Sequence, residues 1–430
     1  MQAIISSFRT FLNKYFKSNY IFIALSVIAL IFTLVNAPLL HPDSESYIYQ
    51  GITRSLGYPL FIKIHKILFG SYYLKLVQLS QVVIFILSVY CFKNTLSKYL
   101  KITDFSIATL LIILFIPVFY VHKTTISILS ESNSYSLYLL CMSLIVSYIF
   151  TTKGKILIYL YLALFLLIST RSQFLFLLPV LVFLPFFLFN KKKSILLATF
   201  PFVLFVALIF SDKYYHYVTN NYFTSTPWTG IQIATIPFYI SEAKDSVAFS
   251  NKNERQYFLF VNQKLNEKKL LKKNIVDGSD PLEFYYTNYV KISNGTINYN
   301  GEYFFDSKYT NDKKTILNDK MTTKVAAILA MHNSGNYLKL YIQNIIKGAN
   351  SAYFVLLNLI LFVFFCYQYH KESNKVFLIY ILFIILVFSN LFLVSVAESI
   401  ISRYTFYNAW IIFLLLFYLI ENYNYQKTEK

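Results

Sequence analysis

Apolar residues fall along this chain in runs of roughly 16–22 positions separated by short polar stretches, and such a run matches the helix length that crosses a hydrocarbon core of about 30 Å. Ten spans are predicted: Tyr20–Leu39, Tyr73–Phe92, Ser106–Val121, Ser132–Phe150, Ile156–Ser169, Phe174–Phe189, Ile195–Phe210, Ala352–Tyr369, Val376–Val396 and Thr405–Ile420. The rhythm stops over residues 211–349. That segment holds 17 basic and 12 acidic residues, with turn-like pieces at Asp277-Gly278-Ser279-Asp280-Pro281 and Ser293-Asn294-Gly295. It is too long for an ordinary loop and is expected to fold. Within it Lys320–Lys347 carries apolar residues at helical spacing (Val325, Ile328, Leu329, Leu338, Tyr341, Ile342, Ile345) and leads toward the eighth span. The expected fold class is therefore an all-α polytopic membrane protein of about ten transmembrane helices. Its parts are an N-terminal membrane region 1–210, an extracytoplasmic soluble segment 211–349 between spans seven and eight, and a C-terminal membrane region 350–430. No internal repeat or glycine-rich phosphate loop is present.

Composition agrees. Of 430 residues 57% are hydrophobic and 14% charged, too little polar surface to cover a water-soluble globule of this size. A soluble enzyme, a secreted disulfide scaffold and a disordered chain are excluded. The formal charge of +19 does not point to nucleic acid, because the bases sit in short clusters between apolar runs. Cys91, Cys141 and Cys366 all fall inside such runs, which argues against a disulfide framework. The sequon Asn294-Gly295-Thr296 is too short a pattern to carry weight.

The charge clusters also set an expected orientation. Segments 1–19, 93–105, 151–155, 190–194, 370–375 and 421–430 each carry at least two Lys or Arg, Lys191-Lys192-Lys193 among them. Placed in the cytoplasm, they put both termini inside and the loops 40–72, 122–131, 170–173 and 397–404 outside, as the positive-inside rule requires. Ile4–Asn19 reads as a basic amphipathic segment on the inner surface of the cell membrane. Ala37 is followed by Pro38, which argues against a cleaved signal peptide.

Candidate chemistry lies in the outward loops. The first reads His41-Pro42-Asp43-Ser44-Glu45-Ser46-Tyr47 and then Gly57-Tyr58-Pro59-Leu60-Phe61. An acid directly after a span sits at the water–lipid boundary, where it could take a proton from an acceptor hydroxyl. It could equally cap a surface helix beginning at Ser44. Glu131, at the start of the fourth span, is either a favourable charge in a first helical turn or the partner of Asp43. Such a pair could bind a divalent metal or share base and orienting roles. His41 and His122 are possible neighbours. Arg171 and Arg403 lie outward against the charge bias and could hold a lipid phosphate bidentately, or could snorkel or pair with an acid such as Glu398. Lys63 is a third candidate for phosphate, and Glu45, Tyr47, Tyr58 and Tyr404 are neighbours of the same motifs.

These residues resemble the GT-C glycosyltransferases, above all the branch of protein O-mannosyltransferases and lipid A aminoarabinose transferases. The first-loop acid with Tyr47 and Gly57-Tyr58-Pro59-Leu60-Phe61, the Leu129-Ser130-Glu131-Ser132 acid, Thr170-Arg171 and Ser402-Arg403-Tyr404 are similar to that family's segments, in order. The resemblance implies a polyprenyl-phosphate-linked sugar donor, transfer on the outer face to a glycan, lipid or protein acceptor, Asp43 as catalytic base, and Glu131 as its support or a metal ligand. The Lys-Pro-Pro segment of the aminoarabinose branch is absent, and residues 211–349 lie between spans where the family has a large C-terminal domain. Two other readings follow from many spans and one large outer segment: an oligosaccharide polymerase or ligase, which relies on outward arginines, and a lipid-linked sugar flippase, which performs no covalent chemistry.

Overall fold

The computed structural model describes residues 17–428 except 101, 121, 277, 398, 400 and 401. The expected surface segment over residues 4–16 and the counter-ion Glu398 lie outside the described residues. Among those described the chain is all-helical, and its one extended pairing is an isolated bridge between Leu39 and Ser127. Among the described residues seven helices are long and apolar enough to cross a membrane. Two compact units emerge. One comprises the chain up to Ser211 with Leu357–Phe388 and the part from Phe406 on; the other comprises Asp212–Leu356 with Ser389–Thr405.

The first unit begins with α1, Ser18–Val35. Ile23, Val27, Ile31 and Leu34 form one exposed apolar stripe at helical spacing, as a lipid-facing helix requires. Asn36 ends α1 by returning its side-chain amide to the Phe32 carbonyl, and the Lys75 ammonium donates to the carbonyls of Thr33, Leu34 and Asn36. A cation is thereby placed on carbonyls that the helix leaves open. The first loop is itself helical, with α2 over Ser44–Ile48 and α3 over Gly57–Phe69. Gly70, at φ 53°, breaks α3 from α4, Tyr73–Tyr99. The third, fifth and sixth expected spans correspond to shorter apolar helices: α5 (Asp104–Phe119), α7 (Gly154–Thr170), and α8 (Leu177–Leu188) with the turn before it.

Between them α6, Ser130–Thr151, is the buried centre of the unit, packed along α4 and α7. Leu139, Met142, Ile145, Val146 and Ile149 are fully buried on it. Lipid is as apolar as these side chains, so their contribution inside a bilayer is close packing more than release from water. The seventh expected span lies in α9, Lys191–Asn220, in which the boundary between the units falls.

The expected soluble segment is a helical unit. Its helices are α10 (Thr229–Ile240), α11 (Lys252–Glu267), α12 (Pro281–Ile292), α13 (Asn311–His332) and α14 (Ser334–Gly348). The helical spacing read over Lys320–Lys347 is divided at Asn333 between α13 and α14. α10 lies against α13 so closely that a Cβ on Gly230 would stand 2.1 Å from the Asp319 carbonyl oxygen. Glycine permits that approach, and the Asp319 carboxylate accepts from the Gly230 N–H at 2.6 Å, filling an open donor at the start of α10. A π-helical turn, Ser293–Asn298, follows α12. Asn318 stabilises it by donating to the carbonyls of Ile297 and Asn298 while accepting from the Tyr257 hydroxyl at 2.6 Å.

Three helices close the chain: α15 (Ala352–Glu372), α16 (Lys375–Ala397) and α17 (Ala409–Thr428). The end of α16 belongs to the second unit, because its carbonyls are taken by that unit's side chains. Phe392 accepts from Tyr341, Ser395 from Asn344 and Ala397 from Tyr289. In the first unit the Glu421 carboxylate of α17 accepts from the backbone N–H of Thr103 and the hydroxyls of Thr103 and Ser106, which caps α5.

Burial raises the ionisation of Glu302, in the second unit, above its ordinary 4.5, against the opposing hydrogen bond from Thr315. A raised carboxyl contributes stability that is complete below the unfolded value and is lost as pH rises through the folded one. Glu302→Gln keeps the acceptor for Thr315 and removes the charge. The variant is expected to unfold at a higher temperature than wild type at pH 7.5 and at the same temperature below pH 4. Thermal unfolding of both proteins at the two pH values checks this.

Candidate active site

The loop after α1 is tied to the loop before α6. Leu39 N–H donates to the Ile126 carbonyl at 2.8 Å, and Ile128 N–H donates to the Leu39 carbonyl at 2.9 Å. His41 Nε2 meets Ser127 Oγ at 3.1 Å, and the buried Ser44 hydroxyl donates to the Ile128 carbonyl at 2.8 Å. Pro38 and Pro42 lack the N–H that would extend such pairing, so it remains a single bridge. It is enough to bring the start of α2 to the start of α6.

Asp43 stands at the N-terminus of α2 but makes no side-chain cap bond there. Its Oδ1 takes Arg54 Nη2 at 2.8 Å. Arg54 also donates to Ser46 Oγ at 2.6 Å and to the Tyr47 hydroxyl at 3.4 Å, and its guanidinium lies 4.5 Å from the Tyr47 ring centroid. Tyr47 is buried, and its hydroxyl meets Ser130 Oγ at 3.0 Å. Ser130 in turn lies 3.3 Å from Glu131 Oε2. One polar chain thus runs from Asp43 through Arg54, Tyr47 and Ser130 to Glu131.

Glu131 is 3% exposed, in the first turn of a helix whose opening residues Ser130, Ser132, Asn133, Ser134 and Ser136 are also buried. The open N–H groups of that turn favour its charge. Its principal partner is Arg171, Nη1 to Oε1 at 2.7 Å, with both side chains almost fully covered. Arg171 ends α7 in extended backbone and also donates to Gln173 Oε1 at 3.0 and 3.2 Å and to Ser130 at 3.4 Å.

Gly57 makes this arrangement possible. A Cβ there would lie 2.6 Å from the Thr170 nitrogen and 2.7 Å from its hydroxyl, so the N-terminus of α3 sits directly on the residue before Arg171. Below it Tyr58 is fully buried, set edge-to-face on Tyr47 at 5.2 Å. Its hydroxyl donates to Gln81, whose amide donates to the carbonyls of Thr125 and Ser127, so the floor of the site and the α6 loop share one anchor.

The structure therefore brings together Asp43, Tyr47, Tyr58, Glu131 and Arg171. Glu45 and Lys63 are exposed on α2 and α3. The His122 ring lies 4.4 Å from Phe406, while its carbonyl accepts from Ser127. Arg403 and Tyr404 belong to the second unit, with the guanidinium 5.9 Å from the Tyr404 ring centroid and the Tyr404 carbonyl accepting from Asn390. Among the described residues no group of three His, Cys, Asp or Glu is placed to hold a metal. The expected ligands Asp43 and Glu131 each face an arginine, and that donor set does not fit a divalent cation.

Sequence reasoning passed over Arg54. The criterion that selected Arg171 and Arg403, a base in an outward loop against the charge bias, selects Arg54 equally. Ser130 entered only as part of the Glu131 segment, and Gln81 gave no signal, since an amide in an apolar run is an ordinary span residue.

Comparison of the chain with protein-family profiles, with curated proteins and with solved structures gives no match.

A buried ion pair is fragile to loss of one partner. Glu131→Ala or Arg171→Ala alone is expected to destabilise the first unit by about 3–5 kcal/mol, whereas Glu131→Gln with Arg171→Met is expected to cost much less. Gly57→Ala, by overpacking, should cost about 1–3 kcal/mol. Thermal unfolding in detergent ranks the four variants.

Proposed function

We propose that the protein is a membrane glycosyltransferase that moves a sugar from a polyprenyl-phosphate donor to an acceptor hydroxyl on the extracytoplasmic face of the cell membrane. One observation carries this reading. Asp43 is about one-third exposed, yet it is held by an arginine that is itself seated on Tyr47 and, through Ser130, on the buried Glu131–Arg171 pair. A carboxylate fixed in place and still reachable suits proton transfer at a reacting hydroxyl. The order of the Asp43, Gly57–Phe61, Glu131 and Thr170-Arg171 segments, which resembles the GT-C glycosyltransferases, points the same way.

In this reading Asp43 takes the proton of the acceptor hydroxyl as that oxygen attacks the anomeric carbon. The bond from that carbon to the phosphate oxygen breaks, and the polyprenyl phosphate leaves with the bonding pair. Arg54 keeps the carboxylate aimed throughout. Glu131 and Arg171 act as positioning residues that neutralise one another under the site. Held by Glu131 and Gln173, Arg171 is in place to orient Ser130 more than to take up a phosphate. Arg403 stays the expected phosphate-binding arginine on the strength of its sequence context.

Asp43→Asn is expected to lower transfer by about 10²–10⁴-fold while leaving insertion and unfolding temperature unchanged. The assay uses membranes supplied with a polyprenyl-phosphate-linked sugar, with the product followed by mass. Wild-type rates in Asp43→Asn together with severe loss in Arg403→Ala would favour the polymerase or ligase reading. A labelled lipid that crosses the bilayer without change of mass would favour a flippase.

A further inference from the structure

The second unit contains a cavity of about 360 Å³ whose lining includes Lys268, Lys269, Lys291, Phe284, Asn288 and Gly295. No carboxylate lines it. The nearest acids in sequence are already committed, Glu267 to Lys264 at 2.8 Å and Glu283 to Lys347. Among the described residues none of the three lining lysines forms an ion pair. Glu267 senses the charge of Lys268 as well as that of Lys264, so among the described residues Lys269 and Lys291 are the two lining cations with no carboxylate paired to them.

The walls are shaped as well as charged. Lys268 is anchored by the Gly295 carbonyl at 3.1 Å, the Thr296 hydroxyl at 3.2 Å and Asn300 Oδ1 at 2.5 Å, which fixes one cation on the π-helical turn 293–298. Such turns recur at functional sites. Lys269 has φ 55°, just past the end of α11, the position where a helix usually ends on glycine. The helix dipole favours a cation there but does not require left-handed backbone from a lysine. Lys269 stands on the cavity's lining at this position. Asn288, which donates its amide to the Phe284 carbonyl at 3.0 Å, and Phe284 complete the lining from α12.

We propose that this cavity binds a phosphate-bearing ligand, with Lys269 and Lys291 as its direct contacts and Lys268 as a fixed background charge. A volume near the lower end of small-ligand pockets, about 300 Å³, suits a headgroup or a small phosphate ester. The proposal is independent of the transferase reading, because every lining residue lies in the second unit and the test reads binding, not transfer.

The test uses the full chain, titrated with inorganic pyrophosphate in neutral detergent and, separately, reconstituted in nanodiscs with and without phosphatidate. Lys269→Gln with Lys291→Gln is expected to weaken binding by about tenfold, as loss of two charge-assisted contacts implies. Salt at about 1 M, where the Debye length falls to about 3 Å, should weaken wild-type binding too. The charge-matched control Lys324→Gln with Lys339→Gln should bind as wild type. Pyrophosphate binding in detergent identifies a soluble phosphate ester as the ligand source, and binding confined to phosphatidate nanodiscs identifies a lipid headgroup. Equal affinity in wild type and the Lys269/Lys291 variant, equal loss in the control, or no binding in either arm overturns the site.

Discussion

The Glu131–Arg171 pair is the contact on which the first unit's polar interior depends. Two charges taken from water into a helical membrane bundle each cost several kcal/mol, and only close geometry with further hydrogen bonds offsets that. Here the geometry is close, and Ser130, Gln173 and the open amides at the start of α6 supply the further bonds. The polar chain out to Asp43 starts from it. Ser130 holds Tyr47, Tyr47 carries Arg54, and Arg54 holds Asp43. Remove Arg171 alone and the most buried helix of the unit would begin with a row of hydroxyls and amides around an unneutralised charge.

Glycine and tyrosine make that arrangement compact. Gly57 lets α3 touch Thr170, so that the residue after it points its guanidinium across to α6. Tyr58 fills the space beneath and returns its hydroxyl to Gln81. The same solution recurs in the second unit, where Gly230 lets α10 meet α13 and Tyr257 closes on Asn318. In both, a missing side chain brings two backbones together and a tyrosine hydroxyl satisfies the polar group left nearby.

The helices were legible in the sequence because apolar runs and span length follow from the bilayer's thickness, and each of the ten runs lies largely within a helical stretch. What the sequence left hidden was non-local. The preference of Asp43 for Arg54 over the α2 cap cannot be read from spacing, since both partners are near. Glu131 meets Arg171 only because Gly57 sets two helix ends together. The segment 211–349 carried a weak helical signal, as its helices are short and mixed in character. Assignment of the end of α16 to that unit rests on hydroxyls and amides reaching backbone carbonyls, which leave no trace in hydropathy.

The bridge at Leu39 and Ser127 also bears on how the protein is made. Asp43 and Arg54 are 11 residues apart, whereas Ser44 and Ile128 are 84 apart. At synthesis rates of about 5–20 residues per second, the later partner emerges about four to seventeen seconds after the earlier one. The nascent chain can therefore pair its first-loop acid with Arg54 at once, before the stretch that accepts the Ser44 hydroxyl has been made.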